Sequence, residues 1–453
     1  MKSETMLHSP RIAVIGGGPM GMAVAYELGR LGHAPVLLEA DDRLGGMAAS
    51  FNFAGVPLER YYHFHCLSDQ AFFELLGELG LAEDMRWRQT RMGFYYNGRL
   101  YPWGSAGAVL GFRPLPLLTR IRYLLHAARC LTLRNWRPLD ERAATQWLRR
   151  WLGPKGYAVL WEKLFSYKFY EHSETISAAW IWSRIRRIGL SRRGLKETLG
   201  YLEGGSQRWI DALAAEITRL GGSIRTSSPV SALTATGQGM VRVSTPAGVE
   251  SFDAVISTVP LPLVAPLLEK GGAPEQLVHS YADQPSVACA CVVLQTRQPI
   301  TGNFWTNVND ARFAIPGVIE MGNLQPRNHH ITYVPFYMPA NHPDYQRPDE
   351  AFIADSIACL KALQPNLQES DVIAGHCSRY RFAQPVCGTH FMEGLPPLEP
   401  LPNLWIADTT IYYPEDRGIS ESVGFGRDLA RNVSHALSVR SRNREPVEAA
   451  DRA

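Results

Sequence analysis

The glycine turn Gly16-Gly17-Gly18, set between a short β-branched run and an apolar-periodic helix, constrains this chain more than any other stretch. Ile12 to Ile15 reads as a buried strand, and the helix is expected to start near Met20. Gly16, Gly18 and Gly21 satisfy G-x-G-x-x-G. The first glycine permits the tight turn, the second lets backbone approach a pyrophosphate, and the third lets helix pack on strand. The helix N-terminus then faces the phosphates with free N–H groups and its positive dipole end. Val36-Leu37-Leu38 reads as a second strand ending at Glu39, about 18 residues past Gly21, where an acid binds a ribose diol. Behind it, Ala40-Asp41-Asp42-Arg43-Leu44-Gly45-Gly46-Met47 brings a second glycine pair to the same pyrophosphate.

Strand, G-x-G-x-x-G, helix, strand, Glu39 and then Arg43-x-Gly45-Gly46 resemble the FAD-binding start of the flavin amine oxidase superfamily. That group includes protoporphyrinogen oxidases, carotenoid desaturases and, more distantly, UDP-galactopyranose mutases. The Arg43-Gly45-Gly46 extension favours FAD over NAD. The resemblance implies that Gly16, Gly18, Met20, Gly21, Glu39, Ala40, Arg43, Gly45, Gly46 and Met47 bind the cofactor, with Glu39 on the adenosine ribose. Val230 matches the residue that sets its backbone against adenine, with a plain core valine as the alternative. Asn403 to Asp408 reads as a strand ending in an acid, and a helix follows Tyr412-Tyr413-Pro414-Glu415-Asp416-Arg417-Gly418 to about Leu437. This resembles the superfamily's C-terminal flavin motif, so Asp408 is expected at the pyrophosphate or ribityl chain, with Ser420, Ser422 and Val423 at the flavin edge. The positive end of that helix would favour negative charge there. The family commonly has Gly before this acid, whereas the residue here is Ala407.

By motif the resemblance covers residues 11–66, 200–260 and 400–437; between them it rests on the order of elements. It implies an α/β chain with a discontinuous Rossmann-type FAD-binding domain and an inserted α+β substrate domain holding an antiparallel sheet and a helical region. The expected boundaries are 1–60, 200–275 and 395–437 for the first and 61–199 with 276–394 for the second. A polar, charged tail at 438–453 is expected to be flexible. Candidate helices in the insertion are Leu117–Leu131, Thr145–Leu152 and Tyr157–Tyr170. At 453 residues the chain is long enough for two intergrown domains.

Composition excludes several classes. A net charge of +3 is too small to argue for nucleic acid, and no basic fold motif accompanies it. Seven cysteines, odd in number and without C-x-x-C, suit reduced thiols in a cytoplasmic protein. The first apolar run is the Rossmann strand, so signal-peptide architecture is not expected. No stretch reaches the roughly 18 apolar residues of a membrane-spanning helix.

Three constellations remain. His63-x-His65-Cys66, with Asp69 nearby, would put two imidazoles on one strand face, as some zinc sites do. No second ligand cluster has metal spacing, so no metal is expected. The segment sits where superfamily members run past the flavin ring, which makes His63, His65 and Arg60 the catalytic candidates and Tyr61 a substrate contact. The alternative is a strand histidine that satisfies buried backbone groups. Arg184, Arg186, Arg187, Arg192 and Arg193, interleaved with Trp180 and Trp182, suit phosphate or carboxylate, an anionic membrane surface, or simply a solvated helix face. Arg184 and Arg187 are the substrate candidates among them. Glu415 and Asp416 stand at an expected cavity edge or form a self-paired cap. Through the resemblance alone, Tyr333 and Tyr413 are substrate contacts, and Asn307, Asn309, Asn323, Tyr337 and Arg381 are cavity candidates.

The expected activity is that of an FAD-dependent oxidoreductase passing hydride from a C–H bond of a small anionic substrate to flavin N5, with an electron acceptor reoxidising the flavin. The alternative is a mutase-like isomerase acting on a nucleotide sugar.

Overall fold

The computed structural model describes residues 10–450 apart from Leu195, Gln238 and Asn328, with side chains in the final helix described to Arg440. All four residues of β1 (Ile12–Ile15) are buried, as both-sided coverage of a parallel strand demands. α1 (Pro19–Arg30) begins on a proline, whose missing N–H costs nothing in a first turn. β2 (Val36–Leu38) returns beside β1. The five-stranded parallel sheet runs Ser223–Arg225, β2, β1, Ala254–Ser257, Leu404–Ile406. Three distant stretches of chain therefore build one Rossmann-type layer, and the strand order reverses beside β1. A crevice outside the carboxyl ends of strands at such a reversal is where open α/β sheets bind ligands.

The inserted region contributes α2 (Leu117–Thr132), α3 (Lys163–Phe169) and α4 (Ala178–Leu190). The helices expected over Thr145–Leu152 and Tyr157–Tyr170 are both present, divided where the expectation left a gap between them. A helix spans Ala144–Tyr157 but is interrupted at Gly153, whose φ of 73° precedes Pro154, and a wider turn over 158–162 separates it from α3. Tyr170, at φ 50°, ends α3. A positive-φ residue cannot continue a right-handed helix.

Seven strands form the second large sheet, in the order Val372–Pro385, Ser286–Thr296, His330–Met338, Gly317–Glu320, Trp305–Asn309, Met92–Tyr96, Arg99–Trp103. It is mixed rather than purely antiparallel, because Trp305–Asn309 runs parallel to Met92–Tyr96. α3 and α4 cover one face of it, and Phe165, Phe169 and Trp180 share a core with Val287 and Val293.

α5 (Ile419–Ala450) closes the dinucleotide layer. It runs past Leu437, so the expected flexible tail is helical through Ala450, and 451–453 lie outside the described residues. Val423, Ala430 and Val433 pack in one core with Met22, Val24 and Leu28 of α1. Buried Glu27 accepts from Arg427 and Arg431, each at 2.9 Å, and ties the two helices together. Among the described residues no helix is long and apolar enough to cross a membrane.

Candidate active site

One cavity of about 820 Å³ runs from the carboxyl ends of β1 and β2 to the floor of the mixed sheet, within the size range of cofactor and small-molecule sites. At its first end Gly16 turns the chain at φ 100°. Gly21 is needed for packing, since a Cβ there would lie 1.9 Å from the Gly16 carbonyl oxygen. Gly18 differs from both: it lines the cavity, and a Cβ on it would meet no protein atom within 4 Å. Glu39 faces the same space, with Oε2 accepting from Gly17 N at 2.5 Å and Oε1 from Asp41 N at 2.8 Å. On the far side Asp408 accepts from Leu261 N at 2.9 Å and Thr410 N at 2.8 Å, tying two strand ends together at the cavity wall. Burial pushes the Asp408 carboxyl above its ordinary value despite these bonds. Gly418, Ile419 and Ser422 open the first turn of α5 onto the cavity, where a helix has N–H groups without intrahelical partners. A cradle that a side chain would fill, an acid at the end of β2 and an open helix start fit the expected FAD.

Not every expected cofactor residue reaches the cavity. Gly16, Gly18, Met20, Glu39, Ala40, Gly46, Met47, Asp408 and Ser422 line it. Gly21 and Gly45 act behind it, the latter donating to Gly17 O at 2.8 Å. The Arg43 guanidinium turns outward to Asp42 at 2.7 Å and 3.1 Å. Val230 packs half-buried against the core beneath the sheet. Ser420 Oγ accepts from Phe72 N at 3.3 Å, and Val423 is wholly buried against α1. The physical reason is helical period: in α5 only one residue of each turn faces the cavity, so Ser422 does while its neighbours do not.

Arg60, Tyr61, His63 and His65 all line the cavity. The segment is extended but unpaired except at His65, which bridges to Gly200. The two histidines are held by different carboxylates. His63 Nδ1 lies 3.1 Å from Glu59 Oε2. Burial pushes the Glu59 carboxyl up, but the bonds from His63 and Ser206 outweigh it and leave the group below the ordinary carboxylate range. His65 stacks on Phe72 at 4.4 Å and is buried beside Asp69, 3.7 Å away. Arg60 is turned onto Asp41 at 2.9 Å. Among the described residues no group of three His, Cys, Asp or Glu is placed to hold a metal ion.

Arg184 and Arg187 also line the cavity, but each already has a counter-charge. Arg184 is bonded to Asp416, and Arg187 to Asp69 at 2.9 Å with Glu421 at 3.9 Å. Trp180 and Trp182, interleaved with them in the sequence, are buried. Tyr333 and Tyr413 stand off the cavity. The Tyr333 hydroxyl donates to Glu59 O at 2.8 Å, and that of Tyr413 donates to Asp140 and accepts from Ser177 Oγ at 2.6 Å. Of the remaining candidates Tyr337 lines the cavity, whereas the side chains of Asn307, Asn309 and Asn323 bond within the sheet's own neighbourhood. Arg381 lies over Phe382 and is exposed.

Sequence reasoning passed over Lys168, Glu59 and Gln384. Lys168 is buried in the cavity wall amid Tyr167, Phe169 and Tyr170, and a lysine inside such an aromatic run was the available signal.

The model of the flavin containing amine oxidoreductase family matches residues 21–390. AofH of Mycobacterium tuberculosis, named as a candidate flavin-containing monoamine oxidase, is 28% identical over 145 residues, which is 30% of this chain and 32% of AofH. The match thus spans about a third of that relative's length. A candidate protoporphyrinogen oxidase from Exiguobacterium sp. 255-15 superposes with a TM-score of 0.73 at 21% identity, over 94% of this chain and 98% of that one. Reduced UDP-galactopyranose mutase superposes with a TM-score of 0.71 at 16% identity, over 95% and 96%. These two likenesses are of fold.

Proposed function

The chain belongs to the flavin containing amine oxidoreductase family, and from that premise we propose that it oxidises a C–H bond of a small anionic molecule. Its cofactor is FAD: the family carries flavin, and the G-x-G-x-x-G turn with Glu39 suits an adenine dinucleotide. When bound, FAD supplies a hydride acceptor at flavin N5, while the protein supplies binding, orientation and electrostatics. The observation that carries this reading is the continuity of the cavity, from Gly18 and Glu39 to an aromatic chamber walled by Tyr62, Trp305 and Tyr337. Those rings exclude water from the reacting bond. His63 donates from Nδ1 to Glu59, so Nε2 is the ring atom available to accept a proton from substrate. The test is an anaerobic absorbance titration with porphyrinogens, polyprenyl precursors and UDP-sugars. Bleaching of the oxidised-flavin band by one compound is the expected result. No bleaching, together with interconversion of a nucleotide sugar by prereduced protein, would replace oxidation with isomerisation.

We further infer contact with an anionic membrane, carried by α2 rather than by the arginines of α4. Leu117, Leu118, Ile121 and Leu125 are 41–67% exposed on one side of α2, and Arg113, Arg129 and Arg134 are exposed beside them. Apolar side chains flanked by arginines suit the interface of an anionic bilayer. Leu131 at the end of α2 packs against Gly189 of α4, next to Ile188 in the cavity wall. The protein is expected to sediment with phosphatidylserine vesicles and the Leu118→Asp/Leu125→Asp variant to stay in solution; equal sedimentation would refute this surface. Seven cysteines, all free and buried, suit a reducing cytoplasm.

A further inference from the structure

Six lysine and arginine side chains line the cavity, and four of them have a carboxylate partner: Arg60 has Asp41 and Arg379 has Asp349. Arg184 has Asp416 and Arg187 has Asp69, as described above. Lys168 is 4% exposed, and among the described residues its ammonium has one hydrogen-bond partner, Gln384 Oε1 at 3.4 Å. The rings of Tyr337 and Trp180 lie 4.8 Å and 5.0 Å from it. Arg417 donates from Nη2 to Tyr337 Oη at 3.2 Å, and its buried Nη1 has no partner. Among the described residues no carboxylate pairs with either cation, and the acidic group that acts on both is the buried Cys289 thiol.

A buried cation without a counter-charge is costly, and aromatic faces offset only part of that cost. Burial, with the neighbouring Arg184 and Arg417, drives Lys168 well below its ordinary value. Such a cost is retained where a ligand supplies the missing charge. Both cations line the cavity against Tyr337, close enough for Arg417 to act on Lys168.

We propose that Lys168 and Arg417 form an anion subsite that receives the carboxylate of the substrate. The elements around it fix the source of the anion. Lys168 comes from α3, Tyr337 from the strand His330–Met338 and Gln384 from Val372–Pro385, elements outside the Rossmann-type layer, while Arg417 reaches Tyr337 from the turn just before α5. The glycine cradle expected to take the FAD diphosphate lies in that layer, at Gly18. The lysine amine and one guanidinium edge offer a donor to each of the two oxygens of a carboxylate, and the surrounding aromatic rings suit an apolar body behind it. The inference rests on the cavity being the flavin and substrate chamber, and it names the charged group that the substrate carries.

The test is calorimetric binding to the FAD-loaded protein, with benzoate as the probe and benzamide as its uncharged counterpart. Benzoate is expected to bind saturably and benzamide not. Lys168→Met and Arg417→Met should each weaken benzoate by about tenfold or more, the scale of a lost charge-assisted bond, while Lys168→Arg keeps most of the affinity. Folding is not at risk in Lys168→Met, because an apolar side chain of similar length replaces an uncompensated buried charge, which is neutral or stabilising. Its melting temperature should match or exceed that of the parent. Equal benzoate affinity in the parent and both methionine variants, or no binding by the parent, would overturn the subsite. Unchanged affinity with a lowered reduction potential of the bound flavin would assign the two cations to the reduced cofactor instead. Protein that holds no FAD would count against the oxidoreductase reading, whereas FAD-loaded protein indifferent to benzoate counts only against the subsite.

Discussion

Replacing Asp69 with alanine is expected to remove about 3–5 kcal/mol of stability, the scale of breaking a buried ion pair from one side. Asp69 is 2% exposed and takes Arg187 Nη2 at 2.9 Å and 3.1 Å, with Cys66 N on Oδ2 at 3.0 Å. Without it, Arg187 keeps only Glu421 at 3.9 Å, and the Cys66 N–H loses its acceptor. Denaturant unfolding of the two proteins measures the difference, and a loss below about 1 kcal/mol would mean that solvent already screens the pair. The pH dependence has a definite sign. Burial raises the Asp69 carboxyl, but His65 and Arg187 outweigh it and hold the group below the ordinary range. A depressed folded value means that the contribution is complete above the unfolded carboxylate value of about 3.9 and is lost as pH falls through the folded one. The gap between parent and variant should therefore stay constant from neutrality down to about pH 4 and narrow below it. A gap that narrows already between neutrality and about pH 5 would reverse the sign of the assigned shift.

Gly18→Val is expected to yield folded protein without FAD. Gly18 has φ −72° and ψ 177°, which valine adopts readily, and its Cβ would touch no protein atom. The stability of the apoprotein should change by no more than about 0.5 kcal/mol. The added side chain would instead stand in the space that the diphosphate needs, so the purified variant should be colourless. Gly21→Val is the contrast, because its Cβ would collide with the Gly16 carbonyl and disrupt the turn itself. A yellow Gly18→Val protein with full FAD content would move the diphosphate away from this turn.

Much of the dinucleotide half is legible along the chain because its determinants are local. β1, the glycine turn, α1 and β2 lie within a few turns of one another, and period and turn chemistry are short-range properties. Even so, one register error is instructive. Gly45 serves the Gly17 carbonyl rather than the cavity, and Arg43 points to Asp42, so of Arg43 to Met47 the cavity is lined by Gly46 and Met47 alone. The gap between the helices expected to end at Leu152 and begin at Tyr157 was legible for the same reason, since Gly153 and Pro154 together rarely continue a helix.

The chemistry of the substrate half was not legible in the same way. Arg184 and Arg187 read as free anion binders because their partners lie far off in sequence; Asp416 is 232 residues from Arg184. Tyr333 and Tyr413 read as cavity hydroxyls until folding committed them to Glu59, Asp140 and Ser177. The amino-acid sequence by itself determined the strand–turn–helix cradle, the acid at the end of β2 and the flavin family, since each depends on residues close together in the chain. Only the tertiary structure decided which charges are neutralised: Lys168 and Arg417, without a carboxylate partner, meet at Tyr337 because three separate elements converge there, and neutralisation depends on distance in space rather than along the chain.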